Sequence, residues 1–222
     1  MYKFDEFPKE INEKLEKIYS AAICDVMDLH GFWNQTMVHS IKPLDKKMKM
    51  FGRALTVLAV QVYEVPKEYY KLEIEAVDAL KKGDVLVVTQ NGCDSSSFWG
   101  ELLSIASMFK EAEGIVIDGH TRDAKGILEL GFPCFVKGLT PADSKGRMDV
   151  LKYNVPINCG GVIVNPGDYI FGDIDGVCVI PKDSVNPILC DALKKIDKER
   201  DVRKDLEEGK TVKEVFEKYG IL

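Results

Sequence analysis

The chain has 222 residues, with 36 acidic and 30 basic side chains and a formal net charge of −6. This length fits one large domain that can bury a sizeable core, whereas the acidic balance argues against a nucleic-acid-binding protein, in which basic residues usually dominate. Neither an apolar segment typical of a signal peptide nor a run of about 20 apolar residues occurs, so we expect a cytoplasmic protein that does not bind membranes.

Hydrophobic periodicity predicts alternating helices and strands in the first half of the chain. Apolar residues spaced by three or four indicate helices, and alternating or short continuous apolar runs indicate strands. The predicted elements are a helix over 8–30, a strand over 51–64, a helix over 66–81 that Pro66 opens, a buried strand over 85–88, a loop over 89–97 and a helix over 98–111.

The second half of the chain begins with short strands and ends in a charged helical region. The predicted elements are a strand over 115–117, a turn over 118–121, a helix over 122–130, a strand over 134–136, a loop-rich stretch over 138–158, a strand over 162–164, a turn over 165–168, a hairpin of 169–171 with 177–180 and helical structure over 183–219. The short strands and hairpin turns argue against a purely doubly wound sheet. We therefore predict an α/β fold with a layered β/β/α core over residues 1–182 and a helical C-terminal extension over residues 183–222.

The most informative polar pair, Arg122 and Asp123, follows a buried strand and a polar turn. Loops after the carboxyl ends of strands are where α/β folds place their sites. The Arg122 guanidinium can bind a carboxylate with two parallel hydrogen bonds, and Asp123 offers an oxygen ligand to Mg²⁺ or Mn²⁺. The pair predicts a site for a 2-oxo acid. The alternative is a surface pair at a helix start, where the helix dipole favours aspartate.

Gly100 and Glu101 lie in the first turn of the helix predicted over 98–111. Free backbone N–H groups at that position suit an anion, and a plain capped helix N-terminus is the alternative. The acidic residues of 165–168 and 173–176 are interpreted as turn formers, because their spacing matches no closed calcium loop. His120 is a further candidate for proton transfer.

Several motifs, in this order along the chain, resemble the RraA-like family, which includes the 4-hydroxy-4-methyl-2-oxoglutarate aldolases. They are Phe-Trp-Gly-Glu-Leu-Leu at 98–103, Ile-Val-Ile-Asp-Gly-His-Thr-Arg-Asp at 115–123, Gly-Phe-Pro at 131–133, the segment 160–168 and Asp-Ile-Asp-Gly-Val at 173–177. The upstream segments 20–28 and 52–57 match the family's opening segments. The resemblance implies a swivelling β/β/α sandwich that assembles as a trimer or a dimer of trimers, with sites between subunits. It also implies class II pyruvate aldolase chemistry with Mg²⁺ or Mn²⁺ and, in many members, oxaloacetate decarboxylation.

The same resemblance implies roles for individual residues. By position, the metal ligand is Asp123, the substrate-binding arginine is Arg122, and the loop that holds the pyruvyl end of the substrate is Gly100, Glu101, Leu102 and Leu103. Glu199 corresponds to a carboxylate that reaches the metal site of a neighbouring subunit. The chain departs from the aldolases at Glu101, where those members carry an aspartate, and this puts the specific 4-hydroxy-4-methyl-2-oxoglutarate substrate in doubt.

These observations predict a metal-dependent carbon–carbon lyase acting on a small 2-oxo acid. Arg122 is expected to hold the substrate, Asp123 to bind the metal, and Glu101 to polarise a water that accepts the hydroxyl proton. His120 is a possible assistant in that proton transfer. The alternative function is a non-catalytic regulator of RNase E, because some relatives bind and inhibit that endonuclease. Those binders tend to lack the metal-site aspartate, whereas Asp123 is present here.

Overall fold

The computed structural model describes residues 7–222. The prediction that a signal peptide is absent concerns an N-terminal segment whose first six residues lie outside the described range. The strands are β1 (Lys42–Pro43), β2 (Met50–Gln61), β3 (Asp84–Thr89), β4 (Ser97–Trp99), β5 (Gly114–Thr121), β6 (Cys134–Leu139), β7 (Met148–Tyr153), β8 (Ile157–Cys159), β9 (Val162–Val164), β10 (Tyr169–Gly172) and β11 (Val177–Ile180). The α-helices are α1 (Lys9–Lys14), α2 (Ser20–Leu29), α3 (Lys71–Asp78), α4 (Glu101–Phe109), α5 (Ala124–Leu130), α6 (Val185–Glu207) and α7 (Val212–Tyr219).

One large mixed sheet forms the centre of the molecule, in the order β1-β6-β5-β3-β2-β10-β11. The strands β2, β3, β5 and β6 run parallel, and β4 adds to the end of β5 in the same direction. β7 and β10 pair antiparallel with different parts of the long strand β2. The sheet is curled and nearly closed, and the ends of β4 and β5 lie together because these two strands pair.

Both faces of the large sheet are covered, which explains why its central strands read as continuous apolar runs. Leu86 and Val88 of β3 pack towards helices α3, α4 and α5. Val85 and Val87 point the other way, into a cluster shared with the small β8–β9 sheet. The result is a small sheet, a large sheet and a helical layer, and it confirms the predicted β/β/α arrangement.

The C-terminal region is helical, as predicted, and it packs onto the rest of the molecule. Ile188, Leu189 and Ala192 of α6 are buried in one cluster with the N-terminal helices and with Phe51 and Phe171 of the large sheet. The boundary at residue 182 stays a prediction. Among residues 7–222, no helix combines the length and the apolar character that crossing a bilayer requires.

The single helix predicted over 8–30 is wrong. The chain forms α1 and a short 3₁₀ turn, then becomes extended at Ile18 and Tyr19 before α2 begins at Ser20. Asp173, from the turn between β10 and β11, accepts hydrogen bonds from the backbone N–H and the hydroxyl of Ser20, both at 2.7 Å. This long-range carboxylate satisfies a helix-start donor, so the interruption has no local sequence signal.

The elements near the candidate site also differ from the prediction. The expected helix over 98–111 begins only at Glu101, because the three preceding residues form β4 and pair with β5. The expected turn over 118–121 is a continuation of β5, and α5 begins at Ala124 instead of Arg122. The polar sequence of 118–121 resembles a turn, but the segment pairs with β4 and β6, and the Gln90 side chain accepts a hydrogen bond from the His120 backbone N–H.

Two other predicted segments change in length or type. The helix predicted over 66–81 is limited to α3, because Tyr70 before it takes a left-handed conformation with φ of 65°. The loop-rich stretch over 138–158 contains β7, whose pairing partner is the distal half of β2. The strand at 162–164, the following turn and the β10–β11 hairpin agree with the sequence prediction.

Candidate active site

The carboxyl ends of β4 and β5 bring together two segments that are 22 residues apart. The carbonyl oxygen of Trp99 accepts hydrogen bonds from the Arg122 backbone N–H at 2.9 Å and from the Thr121 hydroxyl at 3.0 Å. Gly100 therefore lies directly beside Arg122 and Asp123. The predicted site segments meet at the same edge of the sheet, through a pairing that periodicity did not indicate.

Asp123 has a left-handed backbone conformation, with φ of 55°, between β5 and α5. Its Oδ2 faces Gly100, and a Cβ at position 100 would lie 2.6 Å from that oxygen. The backbone N–H of Glu101 lies 3.4 Å from the same Oδ2. The glycine thus leaves the space that the Asp123 carboxylate occupies, and the side chain remains about half exposed towards solvent.

The Arg122 guanidinium lies between two carboxylates. Its Nε is 3.7 Å from Oδ2 of Asp123, and its Nη1 is 3.4 Å from Oδ1 of Asp143. Asp143 also accepts a hydrogen bond from the Tyr70 hydroxyl. The N–H and hydroxyl of Ser97 both donate to the carbonyl of Ala142, which fixes the Asp143 segment against β4. Arg122 is therefore held in place while part of it stays accessible.

A cavity of about 270 Å³ opens beside this group. Of the predicted site residues, Gly100, Leu102, Leu103, Arg122 and Asp123 line it. A second cavity of about 300 Å³, lined by Leu139 and Pro141, reaches Arg122 and Asp123 from their other side. Both cavities therefore share Arg122 and Asp123 as lining residues.

Sequence reasoning missed three titratable lining residues, Tyr70, Glu73 and Asp143. A signal for Glu73 was present, because it lies three residues before Ala76 and four before Val77, the other buried residues of α3. A carboxylate in that pattern stands where an apolar side chain is usual. No comparable pattern marks Asp143.

Glu73, on α3, and Tyr70, just before it, both have raised pKa values. Burial raises the pKa of Glu73 to about 8, and the nearby carboxylates of Asp143 and Asp149 add to the effect, while Arg122 opposes it. Burial and the hydrogen bond to Asp143 raise the pKa of Tyr70 to about 12. Both groups therefore hold their protons at neutral pH, next to the guanidinium that is the candidate anion binder.

The structure places the Glu101 carboxylate outside the main cavity. Its oxygens lie against α5, in the space left by Gly126, where a Cβ would come within 2.5 Å of Oε2. The backbone of Glu101 contributes to the site through its N–H, close to Asp123. The predicted role of its side chain stays a prediction.

Glu199 lies away from this cavity in the chain. Its carboxylate accepts a hydrogen bond from the Tyr19 hydroxyl and pairs with Lys195, with 2.9 Å between Nζ and Oε1. The prediction assigns Glu199 to the metal site of a neighbouring subunit, so a single chain does not test it.

The remaining candidates have local contacts. The His120 ring lies near Gly138 and 3.9 Å from Asp94, on a side that does not line the cavity. Asp168 accepts hydrogen bonds from the backbone N–H groups of Asn165 and Lys182, at 2.8 and 3.1 Å. The acidic residue of that turn therefore acts as the turn interpretation predicts.

The donor set at Asp123 can be compared with the needs of a divalent cation. Across residues 7–222, no three His, Cys, Asp or Glu side chains are grouped so as to hold a metal ion. Mg²⁺ is often bound through one or two carboxylates, with waters and substrate oxygens completing its shell. The single carboxylate of Asp123, exposed where Gly100 has no side chain, fits a site of that kind.

Comparison with known proteins places this geometry in a family context. The model of the RraA-like family, described as Aldolase/RraA, matches residues 20–179. A protein of Halalkalibacterium halodurans, provisionally named 4-hydroxy-4-methyl-2-oxoglutarate aldolase, is 35% identical over 178 residues, which are 80% of each chain. Protein DlpA of Legionella pneumophila is 28% identical over 207 residues, which cover 93% of this chain and 33% of the longer relative.

Among solved structures, that of Streptomyces coelicolor RraAS2 aligns with a TM-score of 0.78 and 28% identity. The alignment covers 90% of this chain and 99% of the other. RraAS2 is described as an unusual member of the RNase ES inhibitor RraA protein family.

Proposed function

Because this chain belongs to the RraA-like family, we propose that it is a divalent-metal-dependent class II pyruvate aldolase or lyase. Its substrate would be a small 2-oxo acid, such as 4-hydroxy-4-methyl-2-oxoglutarate or oxaloacetate, which it cleaves or decarboxylates. The observation that carries the proposal is the Asp123 carboxylate, held beside Arg122 at a cavity and facing a glycine. The provisional aldolase name of the Halalkalibacterium relative supports it.

The residues of the chain would bind and orient the substrate. Arg122 can pair with the substrate carboxylate or oxo group, replacing its long contacts to Asp123 and Asp143. The N–H groups of Leu102 and Leu103 lie in the first turn of α4, where backbone donors have no acceptor within the helix. These donors and the guanidinium would hold the pyruvyl end against Gly100.

Mg²⁺ or Mn²⁺, when bound through Asp123, supplies Lewis-acid stabilisation of the negative charge that carbon–carbon cleavage places on the pyruvyl half. For an aldol substrate, Glu101 would take up the hydroxyl proton through a water after its carboxylate rotates from Gly126. Glutamate has the length and rotamer freedom for this movement.

Pyruvate release, coupled to lactate dehydrogenase, tests the proposal. Oxaloacetate and 4-hydroxy-4-methyl-2-oxoglutarate would be assayed with Mg²⁺ or Mn²⁺ for the wild type, Asp123→Ala and the exposed-residue control Asp197→Ala. We expect metal-dependent turnover that falls at least about 100-fold in Asp123→Ala and is unchanged in Asp197→Ala. Turnover no faster than the metal-only blank on both substrates would contradict the enzyme proposal.

A second candidate function is a non-catalytic regulator that binds RNase E. The likeness to RraAS2, with its TM-score of 0.78, favours this alternative. It predicts no metal-dependent turnover, together with binding of purified endonuclease in a pull-down that Asp123→Ala does not alter. Turnover that depends on Asp123 would contradict it as the main function.

We also propose that the chain forms a homo-oligomer, a trimer or a dimer of trimers. Helix α4 exposes Leu102, Ile105, Met108 and Phe109, and the Phe109 side chain is 89% exposed. Contiguous apolar surface of this kind favours a protein contact. Light scattering should give a trimeric or hexameric mass, and Phe109→Asp should lower it; a monomeric wild type would contradict the proposal.

A further inference from the structure

Glu73 is a buried carboxylic acid at the wall of the cavity. Its residue is 9% exposed, and it lies on α3 facing the space that Arg122 and Asp143 also line. Within residues 7–222, the Glu73 carboxyl group has no hydrogen-bond or ion-pair partner, and its oxygens are not completely sealed from solvent. Buried polar side chains nearly always have a partner, so this group is available to something that enters the cavity.

The surroundings of Glu73 keep a proton on it. The titratable and charged groups that face it are Asp143, Asp149 and Arg122, with the Tyr70 hydroxyl nearby. Burial and the two carboxylates together outweigh the guanidinium, which gives the pKa of about 8. At neutral pH most molecules therefore carry a neutral acid beside the anion-binding arginine.

The proposed reaction needs such an acid at one step. When a carbon–carbon bond of a 2-oxo acid breaks, its electron pair stays on C3 and leaves the enolate of pyruvate. That carbon must then gain a proton to give pyruvate. Arg122 is too weak an acid to supply it, and Tyr70 already donates its hydrogen to Asp143. Glu73 is the remaining proton-bearing group of the wall.

We propose that Glu73 is the general acid that protonates C3 of the enolate, an inference that rests on the proposed lyase function. The O–H bond of Glu73 breaks, a C–H bond forms at C3, and the carboxylate regains its proton from water at the cavity mouth. For oxaloacetate the balance is one dianion and one proton giving pyruvate and carbon dioxide. In the reverse direction, the Glu73 carboxylate removes a proton from the methyl group of pyruvate.

Exchange of the pyruvate methyl protons in D₂O isolates this step. The enzyme, with Mg²⁺ and pyruvate, would be followed by ¹H NMR, and decarboxylation of oxaloacetate would be followed in parallel by release of carbon dioxide. The variants are Glu73→Gln and, as the matched control, Glu75→Gln, which lies on an exposed position of the same helix. Melting temperatures of both variants show whether the fold is kept.

Glu73→Gln should lose methyl exchange by about 100-fold or more. Decarboxylation should fall less, because an enolate released into water is protonated there. Glu75→Gln should match the wild type in both assays. Equal methyl exchange in Glu73→Gln and the wild type would overturn the role of Glu73 alone. A wild type that neither exchanges nor decarboxylates would overturn the lyase function and this inference together.

The pH profiles give a second test that does not need a stable Glu73 variant. Methyl exchange requires the Glu73 carboxylate, so its rate should rise with pH through about 8. Enolate protonation requires the acid, so pyruvate formation on the enzyme should fall over the same range. Asp149→Asn removes a facing charge and should move both midpoints to lower pH. If the rates of methyl exchange and of pyruvate formation both stayed constant between about pH 7 and about pH 9, the proposal would be overturned.

Discussion

Two carboxylates with nearly equal solvent exposure, Glu73 deep in the cavity wall and Asp205 beneath surface lysines of the C-terminal helices, behave in opposite ways. Glu73 is 9% exposed and Asp205 is 6% exposed. Asp205 accepts hydrogen bonds from Lys210, Lys218 and Tyr219, at 2.6, 2.8 and 3.0 Å, and these donors hold its pKa well below the usual range. Glu73 has no such donor, and its pKa is raised to about 8. Side-chain donors therefore lower the pKa of Asp205, which lies beneath two surface lysines, whereas burial without a donor raises the pKa of Glu73.

The acidic side chains have different roles in the C-terminal helices and around the cavity. In the C-terminal helices the Asp205 carboxylate ties α7 to α6, and its charge is neutralised by two lysines. Around the cavity, Gly100 leaves space beside Asp123, and Glu73 has no hydrogen-bond donor. The first arrangement stabilises the fold, and the second leaves groups free to meet a ligand.

The largest expected effect comes from filling the space beside Asp123. Gly100→Ala places a Cβ 2.6 Å from the Asp123 Oδ2, so that carboxylate must move. Metal-dependent pyruvate release should fall by about 100-fold or more, with a small change in melting temperature. A variant with wild-type turnover would show that the space beside Asp123 is not needed for the site.

Glu73→Gln should change how stability depends on pH. The folded-state pKa of about 8 exceeds the ordinary value of 4.5, so the folded chain keeps a proton that the unfolded chain releases. The free energy of unfolding should therefore fall as the pH rises from about 4.5 to about 8 and then level off. Each pKa unit corresponds to about 1.4 kcal/mol, so the total is a few kcal/mol.

Glutamine does not titrate, so Glu73→Gln should lack this slope and be the more stable form at alkaline pH. Urea unfolding at several pH values, with Glu75→Gln as the control, measures the difference. Parallel slopes for the wild type and Glu73→Gln would mean that Glu73 is ionised in the folded protein.

Asp205→Asn should weaken the packing of α7 on α6 without affecting the cavity. The lowered pKa means that the charged form of Asp205 stabilises the fold above the ordinary value of 3.8, and that this contribution is lost as the pH falls through the folded-state pKa. In the variant, amide hydrogen exchange should speed up in α7 at neutral pH, while turnover stays unchanged. Asp201→Asn, on an exposed position of α6, is the control.

The smallest effect is expected for Gly126→Ala. Alanine favours a helix over glycine by up to about 1 kcal/mol, but its Cβ would displace the flexible end of Glu101. Melting temperature should therefore change little. If Glu101 takes part in aldol cleavage, turnover of 4-hydroxy-4-methyl-2-oxoglutarate should change while oxaloacetate decarboxylation does not; equal effects on both substrates would argue against that role.

The central part of the candidate site could be proposed from the sequence because its residues are adjacent in the chain. Arg122 and Asp123 follow a buried strand, and Gly100 opens a helix, so each carried a local signal. The contact between Gly100 and Asp123 depends on β4 pairing with β5, and β4 was hidden in an apolar stretch that also fits a helix.

Long-range features escaped prediction for a related reason. Asp143 reaches Arg122 because Ser97 binds the carbonyl of Ala142, and no local pattern encodes that contact. The break before α2 likewise depends on Asp173, 153 residues away from Ser20. Glu73 also went unpredicted, although its spacing from Ala76 and Val77 was visible in the sequence.

The carbonyl of Trp99 accepts hydrogen bonds from both Thr121 and Arg122, and it thereby couples the positions of the two strand ends. Gly100 and Arg122 flank that carbonyl and its donor, so neither can shift without the other. The opposite wall comes from α3 and the segment around Asp143, which join the strand ends through side chains and one loop contact. Substitutions in α3 and in the segment around Asp143 can therefore change the shape of the cavity while Gly100, Arg122 and Asp123 keep their relative positions.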